Sequence, residues 1–118
     1  MVVSFKSEFP FEKRYNESLR VIRDYPDRVP IICERSNINT IDCPYIDKKK
    51  YLVPRDLTLG QFLYVIRRRL KLTAEKALFL FIANKIHASS QRIDYLYNVY
   101  KDNDGFLYIS YSYENTFG

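Results

Sequence analysis

Few side chains in this sequence carry the chemistry of catalysis. A single histidine, His87, sits in the loop-like stretch KIHASS, and only Cys33 and Cys43 bring thiols. A Cys–His pair is the one nucleophile-and-base combination on offer, because a thiol attacks as its thiolate and an imidazole can take the proton. The local contexts give both cysteines simpler roles. Cys33 ends the apolar run VPIIC and reads as a small core residue. Cys43, between Asp42 and Pro44, reads as an incidental exposed thiol in a loop. One histidine and two cysteines without ligand spacing make no zinc motif, so no metal and no other cofactor is expected. With three glycines in the chain, a glycine-rich phosphate cradle cannot be built. Enzyme is the least supported class.

The charge pattern points instead to binding. A formal net charge of +5 favours acidic partners, whether nucleic acid, anionic lipid or acidic peptide. The stretch DGFLYISY loosely resembles the aromatic strand on which RNA-recognition motifs stack bases. Two departures count against that. Asp104 stands where a basic residue belongs, and this strand is the last of the chain, so nucleic acid is not an expected partner. The run KKKYLVP offers a different chemistry. Three lysines and a proline are typical protection of a sheet edge, and an edge has free backbone groups that can take an extended peptide as an added strand. Alternation sends Lys50 and Leu52 to one face and Tyr51 and Val53 to the other, giving a peptide side-chain pockets on both sides. Pattern alone favours the plainer reading, an edge that is merely protected.

These residues need a frame. Phe11, Tyr15, Leu19 and Ile22 recur at helical spacing between Pro10 and Pro26, predicting a helix whose apolar stripe faces the core. Lys13, Arg14, Glu17, Arg20 and Asp24 fall on its opposite face. RVPIICERS and KKKYLVP read as two strands of a hairpin joined by the polar loop NINTIDCPYID. DLTLGQFLYVIRRRLKL is the clearest helix: Thr58 and Gln61 form a capping box ahead of a stripe of Leu59, Phe62, Leu63, Ile66 and Leu70. ALFLFIAN reads as a buried strand, and SSQRIDYLYNVYK as a short helix capped by Ser89 or Ser90. After the turn DNDG, FLYISYSY alternates as a final strand. A hairpin, a crossover helix and two further strands give an α+β, ubiquitin-like β-grasp. The last eight residues, YSYENTFG, leave a short tail ending on Gly118.

Taken in order, PFEKR, YPDRVP, DKKKYLVP, DLTLGQF and FLYISYS, with the terminal glycine, closely resemble the GABARAP-type autophagy ubiquitin-like modifiers. The similarity runs from about Phe5 to Gly118. It implies one ubiquitin-like domain over residues 1–118: two added N-terminal helices within 1–27, a β-grasp core with a four-stranded mixed sheet over 28–113, and a flexible conjugation tail over 114–118. It also implies conjugation of Gly118 to phosphatidylethanolamine on autophagosomal membranes by an activating and a conjugating enzyme, with release by a deconjugating cysteine protease. The modifier is then the substrate of the chemistry and needs no catalytic residues of its own.

The resemblance further implies a binding surface for W/F/Y-x-x-L/I/V motifs of cargo receptors and autophagy proteins. The aromatic residue of the motif would enter a first pocket of Glu17, Val21, Pro30, Ile32, Lys50, Leu52 and Phe106. The aliphatic residue would enter a second pocket of Tyr51, Val53, Pro54, Leu57, Phe62 and Val65. Arg28, Lys48 and Lys50 would meet acidic residues of the ligand. The expected location is the cytoplasm and the autophagosomal membrane, or another organelle membrane in a divergent organism. Two alternatives stay open: a non-conjugated basic scaffold touching microtubules or membranes, and a single-stranded RNA-binding domain.

Overall fold

The computed structural model describes residues 3–37 and 42–113. Its elements are α1 (Phe5–Glu8), α2 (Phe11–Asp24), β1 (Arg28–Arg35), β2 (Lys50–Pro54), α3 (Leu59–Leu70), β3 (Phe79–Phe81), α4 (Ile93–Tyr100) and β4 (Leu107–Ser112). The sheet order is β2-β1-β4-β3. β1 is antiparallel to β2 and parallel to β4, and β4 is antiparallel to β3, which makes the mixed sheet of a β-grasp. Central β1 has both faces covered, which is why its sequence is a near-continuous apolar run without alternation. Among the described residues no helix is long and apolar enough to cross a membrane.

The register separates the two faces of the sheet. Val29, Ile31 and Cys33 share one face with Tyr51 and Val53 of β2 and with Leu107, Ile109 and Tyr111 of β4. That face packs on Leu59, Phe62 and Ile66 of α3 and on Ile93, Leu96 and Tyr97 of α4, forming the main core. The α3 capping box is present as the sequence predicts, with Gln61 N–H donating to Thr58 Oγ1 and Thr58 N–H to Gln61 Oε1. The opposite face carries Ile32 and Phe106 under Phe5 of α1, with Phe9 and Tyr108 packed alongside. The Phe5 and Phe106 rings meet edge to face at 5.4 Å.

Helix α2 corrects the sequence expectation. Its predicted apolar stripe faces outward, with Phe11, Tyr15 and Leu19 at 47%, 41% and 48% exposure and only Ile22 partly covered. Arg14 and Ser18 are the buried positions, although helical spacing puts Arg14 on the face opposite the apolar stripe. The cause is the turn before β4. Arg14 Nη1 lies 2.5 Å from Oδ2 of the fully buried Asp104, and the Tyr108 hydroxyl donates to the same oxygen. The Phe106 amide donates to Oδ1, and Ser18 Oγ donates to the Asp104 carbonyl at 2.5 Å. Gly105 follows with φ +90°, and a Cβ there would sit 2.2 Å from Ser18 Oγ, so the helix and the turn touch where only glycine fits. A buried carboxylate needs these donors, and satisfying it decides which face of α2 turns inward.

Four further expectations shift. Periodicity shows one N-terminal helix, whereas two are present, as the family resemblance implies; Ser4 caps the short α1 by accepting from Ser7 N–H. Cys43 is buried, not exposed. Asp42 takes φ 61° and turns the chain inward, while Arg35 Nη1 holds the Cys43 carbonyl at 2.9 Å. Strand β3 ends at Phe81 because Ala83 and Asn84 adopt positive φ in a two-residue turn closed by Ile82 and Lys85. Neither Ser89 nor Ser90 caps α4, whose cap position is Arg92. The carbonyls of Ser89 and Gln91 instead accept the Gly60 and Leu59 amides at the start of α3.

Candidate peptide-binding site

Strand β2 is an edge, paired only with β1 among the described residues. Lys50, Tyr51, Leu52 and Val53 pair with Ile32, Ile31, Pro30 and Val29. The Cys33 amide donates to the Lys49 carbonyl at 2.8 Å, which marks that pair as hydrogen-bonded. Antiparallel ladders alternate, so Ile31–Tyr51 and Val29–Val53 are also hydrogen-bonded pairs, whereas Ile32–Lys50 and Pro30–Leu52 are not. The backbone groups of Lys50 and Leu52 therefore point away from β1, toward the open edge. Arg28 Nη1 donates to the Leu52 carbonyl at 3.1 Å and occupies one of these acceptors.

Beside this edge, on the face that carries α1 and α2, lies a cavity of about 210 Å³. Glu17, Val21, Pro30, Lys50, Leu52 and Phe106 line it, with Lys48 and Tyr51 at its side. Six of the seven residues expected in the first pocket are thus brought together. The seventh, Ile32, is fully buried beneath, in contact with the Phe5 and Phe106 cluster. Lys50 Nζ reaches from β2 to Glu17 Oε2 on α2 at 2.8 Å, so an ion pair spans the cleft. Lys50 is exposed and Glu17 half-buried, so solvent still screens the pair and a ligand carboxylate can compete for the lysine.

The six residues expected in the second pocket behave differently. Tyr51, Val53 and Phe62 belong to the packed core, and the Tyr51 and Phe62 rings meet edge to face at 5.5 Å. Pro54 and Val65 are exposed and Leu57 is half-buried. The Tyr51 hydroxyl donates to the Lys48 carbonyl, and the Lys48 ammonium lies over the Tyr51 ring at 5.1 Å. Gly118 lies outside the described residues.

The thiols and the imidazole form no reactive group. Burial pushes the Cys33 thiol far above its ordinary range, with the Glu34 charge adding to it, and burial also raises Cys43. Neither thiol is a thiolate near neutral pH, the form a nucleophile requires. His87 Nε2 contacts the Ile82 carbonyl and its ring packs edge-on against Tyr100. Among the described residues no cluster of three or more His, Cys, Asp or Glu side chains could hold a metal ion.

Two features escape sequence reasoning. The apolar content of α2 hides that Arg14 and Ser18 are its inward residues; the partner that decides it, Asp104, sits in the polar turn DNDG, where sequence gives no sign that it is buried. Pairing of Lys50 with Glu17 needs the α2–β2 contact, which no local pattern contains.

The protein-family profile described as "Autophagy protein Atg8 ubiquitin like" matches residues 13–118. The chain is similar to Autophagy-related protein 8 of Kluyveromyces lactis, 55% identical over 118 residues that span all of this chain and 94% of that one. It is equally similar to Autophagy-related protein 8c of Arabidopsis thaliana, 55% identical over 115 residues covering 98% and 95% of the two chains. Among solved structures, Trypanosoma brucei ATG8 superposes with a TM-score of 0.87 at 43% identity, covering 95% of each chain. Plasmodium falciparum Atg8, solved in complex with a P. falciparum Atg3 peptide, superposes at 0.86 with 34% identity over 96% of this chain and 98% of that one. On the geometry and these matches together, the chain belongs to the Atg8 family of autophagy-related ubiquitin-like proteins, which act as modifiers and adaptors and not as enzymes.

Proposed function

We propose that this modifier is joined through the Gly118 carboxylate to phosphatidylethanolamine, and that from the autophagosomal membrane it binds W/F/Y-x-x-L/I/V motifs by strand addition to β2. The single observation that supports the binding half most directly is the open backbone of Lys50 and Leu52 beside an apolar cleft. A peptide strand laid along that edge places one side chain over Pro30, Leu52 and Phe106 and the alternate ones on the face of Tyr51 and Val53. Acidic residues next to the motif meet Lys50 and Lys48, and Arg28 yields the Leu52 carbonyl to the incoming amide. The aromatic anchor in the cleft contributes most of the affinity, and the rim charges contribute steering. Cargo receptors and autophagy proteins bearing such motifs are the partners of this surface. The activating and conjugating enzymes and a deconjugating cysteine protease act on the tail, and the unconjugated form resides in the cytoplasm. The Plasmodium Atg8 bound to an Atg3 peptide supports the inclusion of conjugation-pathway proteins.

Two measurements test the two halves. An acidic-flanked W-x-x-L peptide titrated against wild type and Leu52→Ala is expected to bind the variant about tenfold more weakly, roughly 1.4 kcal/mol. Equal affinities would reject the cleft. In a reconstituted conjugation reaction read by gel shift, Gly118→Ala is expected to abolish the lipidated band, and unchanged lipidation would reject the attachment point.

A further inference from the structure

Helix α2 is flanked by two clefts, and only one of them belongs to the β2 edge. Glu17 and Val21 face the cleft already described. On the other flank, Tyr15, Leu19 and Ile22 of α2 face Tyr97 and Lys101 from the end of α4 and Gly105 of the following turn, around a cavity of about 320 Å³. This is the apolar stripe that sequence alone assigns to the core. The clamp on Asp104 claims Arg14 and Ser18, so the stripe is left at the surface with Tyr15 and Leu19 more than two-fifths exposed. The Phe11 and Tyr15 rings stack at 5.8 Å, 14° from parallel, and extend the apolar wall along the helix.

The charges at the rim are unequal. Asp102 is neutralised by Lys6 at 2.6 Å. The Lys101 ammonium lies over the Tyr97 ring at 5.4 Å, and among the described residues no carboxylate pairs with it. The cleft therefore joins an apolar wall to an uncommitted positive charge.

We infer that this second cleft docks a short segment of another protein in which a bulky apolar residue lies next to an aspartate or glutamate. The apolar side chain enters against Tyr15, Leu19 and Ile22, and the carboxylate meets Lys101. Burial of the anchor drives the contact and the charge pair sets its register. A bilayer fits the feature poorly, because the apolar walls face one another across a concave cleft and do not project onto a plane. A second copy fits poorly because the uncommitted charge of the cleft, Lys101, is positive, and two such rims would meet like to like. The assignment is independent of the β2 edge, and the two clefts on opposite flanks of one helix allow two segments to bind at once.

The test is a selection of 12-residue phage-displayed peptides on the full chain carrying Leu52→Ala, which weakens the first cleft, with an acidic-flanked W-x-x-L peptide in excess to occupy what remains of it. Enriched peptides are expected to pair Phe, Leu, Ile or Trp with an adjacent acid. Their affinity should be equal for wild type and Leu52→Ala, fall at least tenfold on Leu19→Asp, and fall several-fold on Lys101→Glu. Leu19 and Lys101 are exposed, and circular dichroism of each variant checks that the fold is kept. Failure to enrich any peptide, or enriched peptides indifferent to Leu19→Asp, would overturn the inference and leave the β2 reading untouched. So would a wild-type chain whose Leu19-dependent association proves to be self-association in sedimentation, or flotation with phosphatidylethanolamine–phosphatidylserine vesicles.

Discussion

The two faces of the sheet are closed by different means. Toward α3 and α4 the closure is a continuous apolar core in which Phe62, Ile66, Ile93 and Leu96 are fully buried. Toward α1 and α2, among the described residues, only Phe5, Ile32 and Phe106 form a buried apolar cluster, and the rest of the closure is the polar clamp of Arg14, Ser18, Tyr108 and Asp104. The first face tolerates any packing that fills it, within limits of volume. The second works only if each donor finds its acceptor, since a buried carboxylate left with fewer partners is costly. One face is specified by shape and area, the other by hydrogen-bond satisfaction, and the candidate binding cleft lies on the second.

The largest effect is expected from the apolar face. Phe62→Ala removes a fully buried ring that meets Tyr51, and a loss of about 3–5 kcal/mol is expected in urea unfolding. The whole domain should unfold together, with fluorescence and circular dichroism giving coincident transitions. Breaking the clamp should look different. Arg14→Met keeps the side-chain bulk but leaves the Asp104 carboxylate buried with one charge partner fewer, at a cost of about 3 kcal/mol. Amide hydrogen exchange should then speed up in α2 while α3 and β1 stay protected. Uniform loss of protection along the chain would dissolve the distinction between the faces.

The smallest effect is one of pH. Burial and the Asp104 carboxylate hold the Tyr108 phenol above its ordinary range, and burial does the same for Tyr51 and Tyr111 on the other face. A raised pKa means that the folded state favours the protonated phenol. The stabilisation is complete below the unfolded value of about 10 and is lost as pH rises above it. Urea midpoints measured from pH 7 to 11 should be flat at first and fall above about pH 10. Tyr108→Phe should lower the midpoint at pH 7, because a buried acceptor loses its donor, and should make the alkaline fall shallower.

The same contrast explains what was legible beforehand. The apolar face could be read because its residues repeat with the periods of helices and strands: Leu59, Phe62 and Ile66 on α3, and Leu107, Ile109 and Tyr111 on β4, all face where spacing puts them. The orientation of α2 could not, because the apolar period of Phe11, Tyr15 and Leu19 outweighs Arg14 and Ser18 in any local count. The deciding partner, Asp104, is ninety positions away. The burial of Cys43 is hidden from local pattern for a related reason, since it depends on the left-handed turn at Asp42 and on Arg35 of β1. Alternation along β2 separated Leu52 from Tyr51 and Val53 correctly, and the register bears this out. It could not show that Tyr51 and Phe62 pack against each other as core.

Pro30 gives the sheet a corner. Its pair with Leu52 is not a hydrogen-bonded one, so its nitrogen faces the β4 side, where pairing begins only with Ile31 opposite Leu107. Proline brings no N–H to this buried position, so no donor there needs a partner. A ring that has no proton to donate leaves nothing for the sheet to complete, and the ladder stops one residue short. The recess beside Leu52 and Phe106 is thus outlined by a bond that the chain is unable to make.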